Sequence, residues 1–204
     1  CLPKSDVKLM AHHVWESSIK MASLIATGRI KILNKTVLEL GAGGALPSIV
    51  AVHMKPKLIV ATDYDSPSIV QAMKTNFETN FNIEKIDFST TKYLVTGHTW
   101  GTDVSKLLDA LKLVDGETQA FIAHDKNDAE YSSSCSSSSS SSSSTVGYDI
   151  IILADTLWLK DQHEVLLTTC TNTLKKDGKI YLTFQVLMNV YLMNVCKMNV
   201  NIYL

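Results

Sequence analysis

The feature that most constrains the fold of this chain is a glycine-rich turn between two apolar runs. The stretch TVLELGAGGALPSIVAV, residues 36–52, passes from apolar residues through three glycines into Pro47 and a second apolar run. A proline fits the first turn of a helix, where its missing N–H group is not needed. A further apolar run, KLIVATD, ends at Asp63. The order strand, glycine turn, helix and strand predicts a βαβ unit with two parallel strands.

The same alternation continues beyond this unit. Strand patterns recur in KYLVTG, YDIIILAD and KIYLTF, with helical spacing in the segments between them. Because these strands are apolar without strict alternation, we expect an α/β, Rossmann-like, doubly wound and mostly parallel sheet with helices on both faces. The predicted helices are a lead-in helix with Trp15, Ile19, Ala22 and Ala26 on one face, a helix capped by Ser66, a short helix containing Leu107, Leu108 and Leu111, and a helix from residue 161 that ends at Gly178.

Length and composition predict a single domain over residues 1–204. The chain has 204 residues, 46% of them apolar, which suits one sizeable hydrophobic core. Residues 132–144 are serine except for Cys135, and such a segment buries too little apolar surface to offset its ordering entropy. We therefore expect a disordered insertion there. The tail, residues 186–204, repeats Met-Asn-Val three times and is atypical of a helix or hairpin.

Charge and cysteine usage exclude several classes of partner. A net charge of -1 and a pI near 6.6 provide no basic field for nucleic acid. No apolar run approaches the roughly 20 residues that span a bilayer, so we expect no membrane association. The four cysteines form no CxxC pair and the histidines show no ligand spacing, so we assign no metal and no disulfide framework. A cytoplasmic monomer is the expectation.

The glycine turn predicts a nucleoside ligand, because a helix N-terminus behind close-approaching backbone suits such a group. In the dinucleotide pattern GxGxxG the last glycine is here Leu46, which weakens the case for NAD without excluding it. Glu39 precedes the turn, and its carboxylate would repel a pyrophosphate and favour a cation such as S-adenosylmethionine. Asp63 lies about 20 residues past the turn, where a carboxylate accepts ribose hydroxyls. The alternative is that Asp63 is an ordinary strand-end or helix-capping aspartate, a capping role for which Asp65 is also available.

Five motifs in order resemble a known family. VWESSIKMASLI, TVLELGAGGALPSIVAV, IVATDYDSPSIVQAMKTNF, GHTWGTDVSKLL and YDIIILADTLWLKDQHEVLLTTCTNTLKKDGKIYLTF resemble segments of the seven-β-strand protein methyltransferases. They are most similar to the protein N-terminal and lysine methyltransferases of elongation factor 1-alpha. The resemblance implies a seven-stranded-type sheet, S-adenosylmethionine as cofactor and a protein amine on elongation factor 1-alpha as acceptor.

The resemblance also implies a role for individual residues. The implied cofactor contacts are Trp15 near the methionine part, the backbone of Gly41, Ala42 and Gly43 at the amino-acid portion, Asp63 at the ribose, Trp100 at the adenine, and Ala154 beneath the cofactor. Asp155 and Trp158 match the motif that faces the acceptor amine. There Asp155 would orient the amine and offset developing positive charge, and Trp158 would contact a methylated ammonium by cation–π interaction. Helix capping by Asp155 and simple packing by Trp15 or Trp158 are the alternatives.

Two departures from the family pattern carry their own expectations. Its turn reads Gly-Ala-Gly-Ala-Gly, whereas Gly44 and Ala45 exchange the last two residue types. If Ala45 adopts a positive φ, the strain amounts to about 1–2 kcal/mol. The Met-Asn-Val tail replaces the closing antiparallel strands, so we expect the C-terminal strands to be missing or degenerate. A non-catalytic or truncated homologue acting as a binding protein, a lysine-only methyltransferase with another substrate, and a nicotinamide-dependent oxidoreductase stay open as alternatives.

Overall fold

The computed structural model describes residues 13–84, 91–114, 146–185 and 200–203. Its strands are β1 (Thr36–Leu40), β2 (Leu58–Asp63), β3 (Lys92–Gly97), β4 (Tyr148–Ala154), β5 (Leu174–Thr183) and β6 (Val200–Tyr203). They form one sheet in the order β3-β2-β1-β4-β5-β6, and every neighbouring pair is parallel. Its helices are α1 (Glu16–Ala26), α2 (Leu46–Val52), α3 (Pro67–Glu84), α4 (Ser105–Asp109) and α5 (His163–Thr173), with short 3-10 turns at Ala110–Leu113 and Lys160–Gln162.

Both faces of the sheet are covered by helices, as successive side chains of β1 show. Val37 belongs to a buried cluster with Ile49 of α2, and that cluster also contains buried residues of α1 and α3. Its neighbour Leu38 belongs to a second cluster with Leu107 of α4 and Leu166 of α5. Because adjacent strand residues point to opposite faces, α1–α3 lie on one face and α4–α5 on the other. The predicted doubly wound α/β fold is confirmed.

The sheet order reverses between β1 and β4, which places a crevice at their carboxyl ends. Glu39 is in register with Ala61 of β2 on one side and Ile152 of β4 on the other. The three strands therefore end close to the same level. In open α/β sheets, ligands bind outside the carboxyl ends of the strands at such a reversal.

Helix α1 buries a face that only partly matches the one that its sequence spacing predicts. Ile19 is 52% exposed, and Trp15 precedes the first turn of the helix and is 38% exposed. Met21, Leu24 and Ile25 form the buried face instead, in the same cluster as the α2 residues. Of the predicted face, Ala22 is buried and Ala26 is exposed, so the prediction is only partly right, and Trp15 lies before the helix among the residues that line the carboxyl edge of the sheet.

Two C-terminal boundaries also differ from expectation. The last helix was expected to reach Gly178, yet it ends at Thr173 and β5 begins at Leu174. Pairing with β4, through a register irregularity between Tyr148 and Ile150, draws a polar segment into the strand. In the atypical tail, residues 200–203 form β6, parallel to β5. The serine segment at 132–144 lies outside the described residues. In the part of the chain that the structure describes, no helix is long and apolar enough to cross a membrane.

Candidate functional site

The glycine turn after β1 adopts three positive φ angles. Gly41 has φ +73° and Gly43 φ +53°, both in the region that favours glycine. Ala45, the residue before α2, has φ +61°, so the predicted strain at the fifth turn position is present. A backbone hydrogen bond holds this conformation, because Ala45 N donates to Ala42 O at 2.7 Å. The neighbouring Gly44, which could adopt a positive φ without strain, does not have one. The turn is therefore rigidly shaped.

Glu39 lies beneath the turn and caps α2. The helix has no capping side chain of its own at Ala45, and Ser48 donates from its backbone N, at 3.1 Å, and from its hydroxyl to Glu39 Oε2. Burial raises the pKa of the Glu39 carboxyl to about 8, the bonds from Ser48 oppose the rise, and nearby Asp63 adds to it. Glu39 is therefore largely protonated at neutral pH and does not supply the charge that its position in the sequence suggests.

A cavity of about 280 Å³ opens at the carboxyl ends of β1, β2, β3 and β4. All predicted cofactor and acceptor residues except Glu39 line it: Trp15, Gly41, Ala42, Gly43, Asp63, Trp100, Ala154, Asp155 and Trp158. The structure thus brings nine positions from five separate segments around one space, and it excludes Glu39 from the lining. Their individual roles stay predictions.

Asp63, at the end of β2, joins the second strand to the glycine turn. Its Oδ2 accepts a bond of 2.7 Å from Gly43 N, and its Oδ1 accepts one of 2.6 Å from Tyr64 N. Burial raises the pKa of the Asp63 carboxyl above its ordinary value, and the two backbone bonds oppose that rise. Since each carboxylate oxygen has two lone pairs, Asp63 retains acceptor capacity toward a ligand.

The exit from β3 packs directly against the turn. A Cβ built on Gly41 would lie 3.1 Å from Trp100 Cζ2 and 2.9 Å from Thr156 Cγ2. Sequence reasoning did not single out Thr156 or His98, although both line the cavity. Among the described residues, neither Thr156 Oγ1 nor His98 Nε2 has a hydrogen-bond partner, and both atoms are buried. Both residues lie within the quoted motifs, but no local pattern distinguishes them there, because their burial follows from packing between distant segments.

The segment after β4 presents the predicted acceptor residues. Asp155 has φ +60°, an uncommon value for a residue with a side chain, and its backbone N donates to Thr183 O at 2.8 Å. Trp158 is 46% exposed at the cavity mouth. His163 supports this segment from α5, because its Nε2 lies 2.9 Å from Leu157 O. The strained backbone is held by contacts on both sides.

Residues 3–116 match the protein family described as lysine methyltransferase. The chain belongs to the lysine methyltransferase family. Proteins named protein N-terminal and lysine N-methyltransferase EFM7 in Debaryomyces hansenii and Gibberella zeae are 28% and 30% identical to it over 177 residues, covering 86% and 85% of this chain and 57% of each relative. The Schizosaccharomyces pombe protein of the same name is 26% identical over 162 residues, 79% of this chain and 50% of its own. The chain spans about half the length of these relatives.

A solved structure of an O-methyltransferase from Bacillus cereus in complex with SAH is also similar, at 15% identity and a TM-score of 0.37, over 81% of this chain and 56% of that one. At that TM-score the likeness adds no weight to the assignment.

The charged side chains that line the cavity of this lysine methyltransferase family member are acidic. The two carboxylates that line it belong to Asp63 and Asp155, and the lining contains no Lys or Arg among the described residues. Over the same described ranges, no group of three or more His, Cys, Asp or Glu side chains has the geometry to hold a metal ion. The cavity therefore favours an uncharged or cationic occupant over a phosphate.

Proposed function

We propose that this chain is the catalytic part of a protein N-methyltransferase that uses S-adenosylmethionine. The proposed acceptor is an amino group of elongation factor 1-alpha, either its N-terminal α-amine, a nearby lysine, or both. The observation that carries the proposal is the acidic, aromatic-rimmed cavity at the carboxyl ends of β1–β4. Family membership and the names of the relatives support methyl transfer to a protein amine.

The residues and charges that line the cavity suit the proposed cofactor. Gly41 lines the cavity without a side chain, and Trp100 and Thr156 pack closely against it. Asp63 and Asp155 suit a ligand that carries a sulfonium and an ammonium and no phosphate. In the proposal, Gly41 to Gly43 meet the amino-acid portion, Asp63 the ribose, Trp100 the adenine, and Trp15 and Ala154 the remaining surface.

A nicotinamide dinucleotide suits the same cavity poorly. Its pyrophosphate would meet a lining without Lys or Arg among the described residues, next to two carboxylates. The turn also carries Leu46 where a dinucleotide fold uses glycine for close helix packing. Both features oppose the oxidoreductase alternative.

The acceptor side of the cavity consists of Asp155 and Trp158. Bound S-adenosylmethionine supplies an electrophilic methyl group on a positively charged sulfur. The Asp155 carboxylate orients the acceptor amine by hydrogen bonding and offsets positive charge on its nitrogen. The half-exposed indole of Trp158 covers the amine from the mouth of the cavity and attracts a methylated ammonium by cation–π contact.

We also propose that the protein is a monomer and is cytoplasmic.

Calorimetric titration tests the proposal. The purified chain is titrated with S-adenosylmethionine beside Asp63→Asn and Asp65→Asn variants, and with NAD in place of the cofactor. Asp65 is exposed and outside the cavity lining, so it is the matched control. We expect saturable binding by the wild type and Asp65→Asn, at least about tenfold weaker binding by Asp63→Asn, and none of NAD.

Absence of S-adenosylmethionine binding by the folded chain contradicts the proposal. Where the chain binds the cofactor, the next experiment is an assay of methyl transfer to elongation factor 1-alpha. Peptide mass spectrometry then shows whether the methyl groups are on the α-amine or on a lysine. A cofactor-binding chain that methylates neither group contradicts the proposed substrate while leaving the cofactor assignment intact.

A further inference from the structure

His98 lies at the point where the predicted nucleoside contacts converge. It follows β3 directly, next to Gly97, which is in register with Asp63. Its backbone N donates to Asp63 O at 2.8 Å, which ties the two strand ends together. Trp100 is two residues further along the chain, and all three side chains belong to residues that line the cavity. His98 is thus adjacent to both the proposed ribose contact and the proposed adenine contact.

The imidazole of His98 has an unused hydrogen-bonding atom. The residue is 6% exposed, and its Nε2 has no partner among the described residues. A buried polar atom without a partner is unfavourable and is rare in folded proteins. A rotation of the ring toward the neighbouring cavity would let Nε2 pair with a ligand there, which would remove that penalty. His53, by contrast, is exposed at the end of α2 and does not line the cavity.

The surroundings of His98 favour a neutral ring. Burial lowers the pKa of His98 below its ordinary value, and Asp103 and Asp65 oppose that shift. A neutral imidazole presents one nitrogen with a proton and one without, so Nε2 either donates to or accepts from a ligand, depending on the tautomer. Such a group recognises hydroxyls and the polar edges of bases without adding charge to the cavity.

We propose that His98 is a nucleoside-recognising residue, whose Nε2 forms a hydrogen bond with the ribose or the base edge of the cofactor. The inference rests on the proposed function. It adds a cofactor contact to those proposed for the glycine turn and for Asp63 at the end of β2. Its position beside Asp63 and before Trp100, together with its unpaired buried atom, carries the inference.

The test measures binding of S-adenosylhomocysteine by calorimetry for wild type, His98→Leu, His98→Gln and the control His53→Leu. The loss of one hydrogen bond predicts about tenfold weaker binding for His98→Leu. His98→Gln retains a polar group and is expected to stay within about threefold of wild type, and His53→Leu to be unchanged. S-inosylhomocysteine, which lacks the 6-amino group, narrows the contact: a loss confined to the adenosyl ligand indicates the 6-amino edge of the base, and an equal loss for both indicates the ribose or a base nitrogen that the two ligands share.

Histidine labelled with ¹⁵N provides a measurement on the unaltered chain. We expect the Nε2 resonance of His98 to shift when S-adenosylhomocysteine saturates the wild type. A folded His98→Leu variant with wild-type affinity, or an Nε2 resonance that does not move at saturation, overturns the inference and leaves the proposed function standing. Failure of the wild type to bind the ligand instead overturns the proposed function and the inference together.

Discussion

Replacement of Gly41 by alanine tests the geometry of the turn most directly. The new Cβ would lie 2.9 Å from Thr156 Cγ2 and 3.1 Å from Trp100 Cζ2. Thr156 is 2% exposed and Trp100 packs against a buried cluster, so accommodating the new methyl group requires these packed side chains to shift. The substitution therefore introduces both a steric overlap and a side chain at φ +73°.

The expected loss of stability follows from two destabilising contributions and one that offsets them in part. The left-handed conformation costs alanine about 1–2 kcal/mol, and overpacking adds about 1–3 kcal/mol. The restricted unfolded chain offsets about 0.4–1 kcal/mol. We expect the free energy of unfolding to fall by about 2–3 kcal/mol, which for a chain of this size lowers Tm by about 5–10 °C.

Urea unfolding followed by circular dichroism measures this change, with Gly44→Ala as the matched control in the same turn. Gly44 has no positive φ, and a Cβ there would lie 3.7 Å from Asn76 Nδ2, an ordinary contact. The control is therefore expected to be neutral or up to about 1 kcal/mol more stable. If Gly41→Ala unfolds at the same urea concentration as wild type, the close approach of the turn to Trp100 and Thr156 is refuted.

Two further predictions concern the carboxyl groups. The pKa of Glu39 rises from 4.5 to about 8 on folding, so between these values the folded state holds a proton that the unfolded chain has released, and wild-type stability falls as pH rises. The free energy of unfolding of the wild type falls by at most about 1.4 kcal/mol per pH unit, and Glu39→Gln should lack this pH dependence and be the more stable protein at pH 8. Urea unfolding at several pH values measures both proteins, and an equal pH dependence for the two would falsify this account. Asp155→Asn keeps a residue type that tolerates φ +60°, so we expect cofactor affinity within about threefold of wild type and methyl transfer lowered about 100-fold. Unchanged kcat in the mass-spectrometric assay would exclude a role for this carboxylate at the acceptor.

Local sequence patterns were enough to predict the central βαβ unit and the fold class. The predicted run that ends at Asp63 differs from β2 by one residue at its start, and Pro47 lies in the first turn of α2. These features depend on neighbouring residues: apolar runs make buried strands, and a glycine turn followed by proline starts a helix. Among the positions that line the cavity, the glycine turn and Asp63 were predicted from the local pattern and its spacing, whereas the others were predicted from the resemblance to a known family.

Contacts between distant segments established the rest. Glu39 occupies a strand position next to the turn, yet packing under α2 buries it, and its carboxyl group caps that helix. The group is largely protonated because desolvation raises its pKa by more than the hydrogen bonds from Ser48 lower it. The buried face of α1 and the polar start of β5 depend on their partners in α2 and β4. His98 and Thr156 lie within the quoted motifs, but the resemblance implies no role for either, and only the meeting of four strand ends places their unpaired atoms at residues that line the cavity. Burial and pKa depend on residues far apart in the chain, whereas helix and strand patterns depend on residues that are close together.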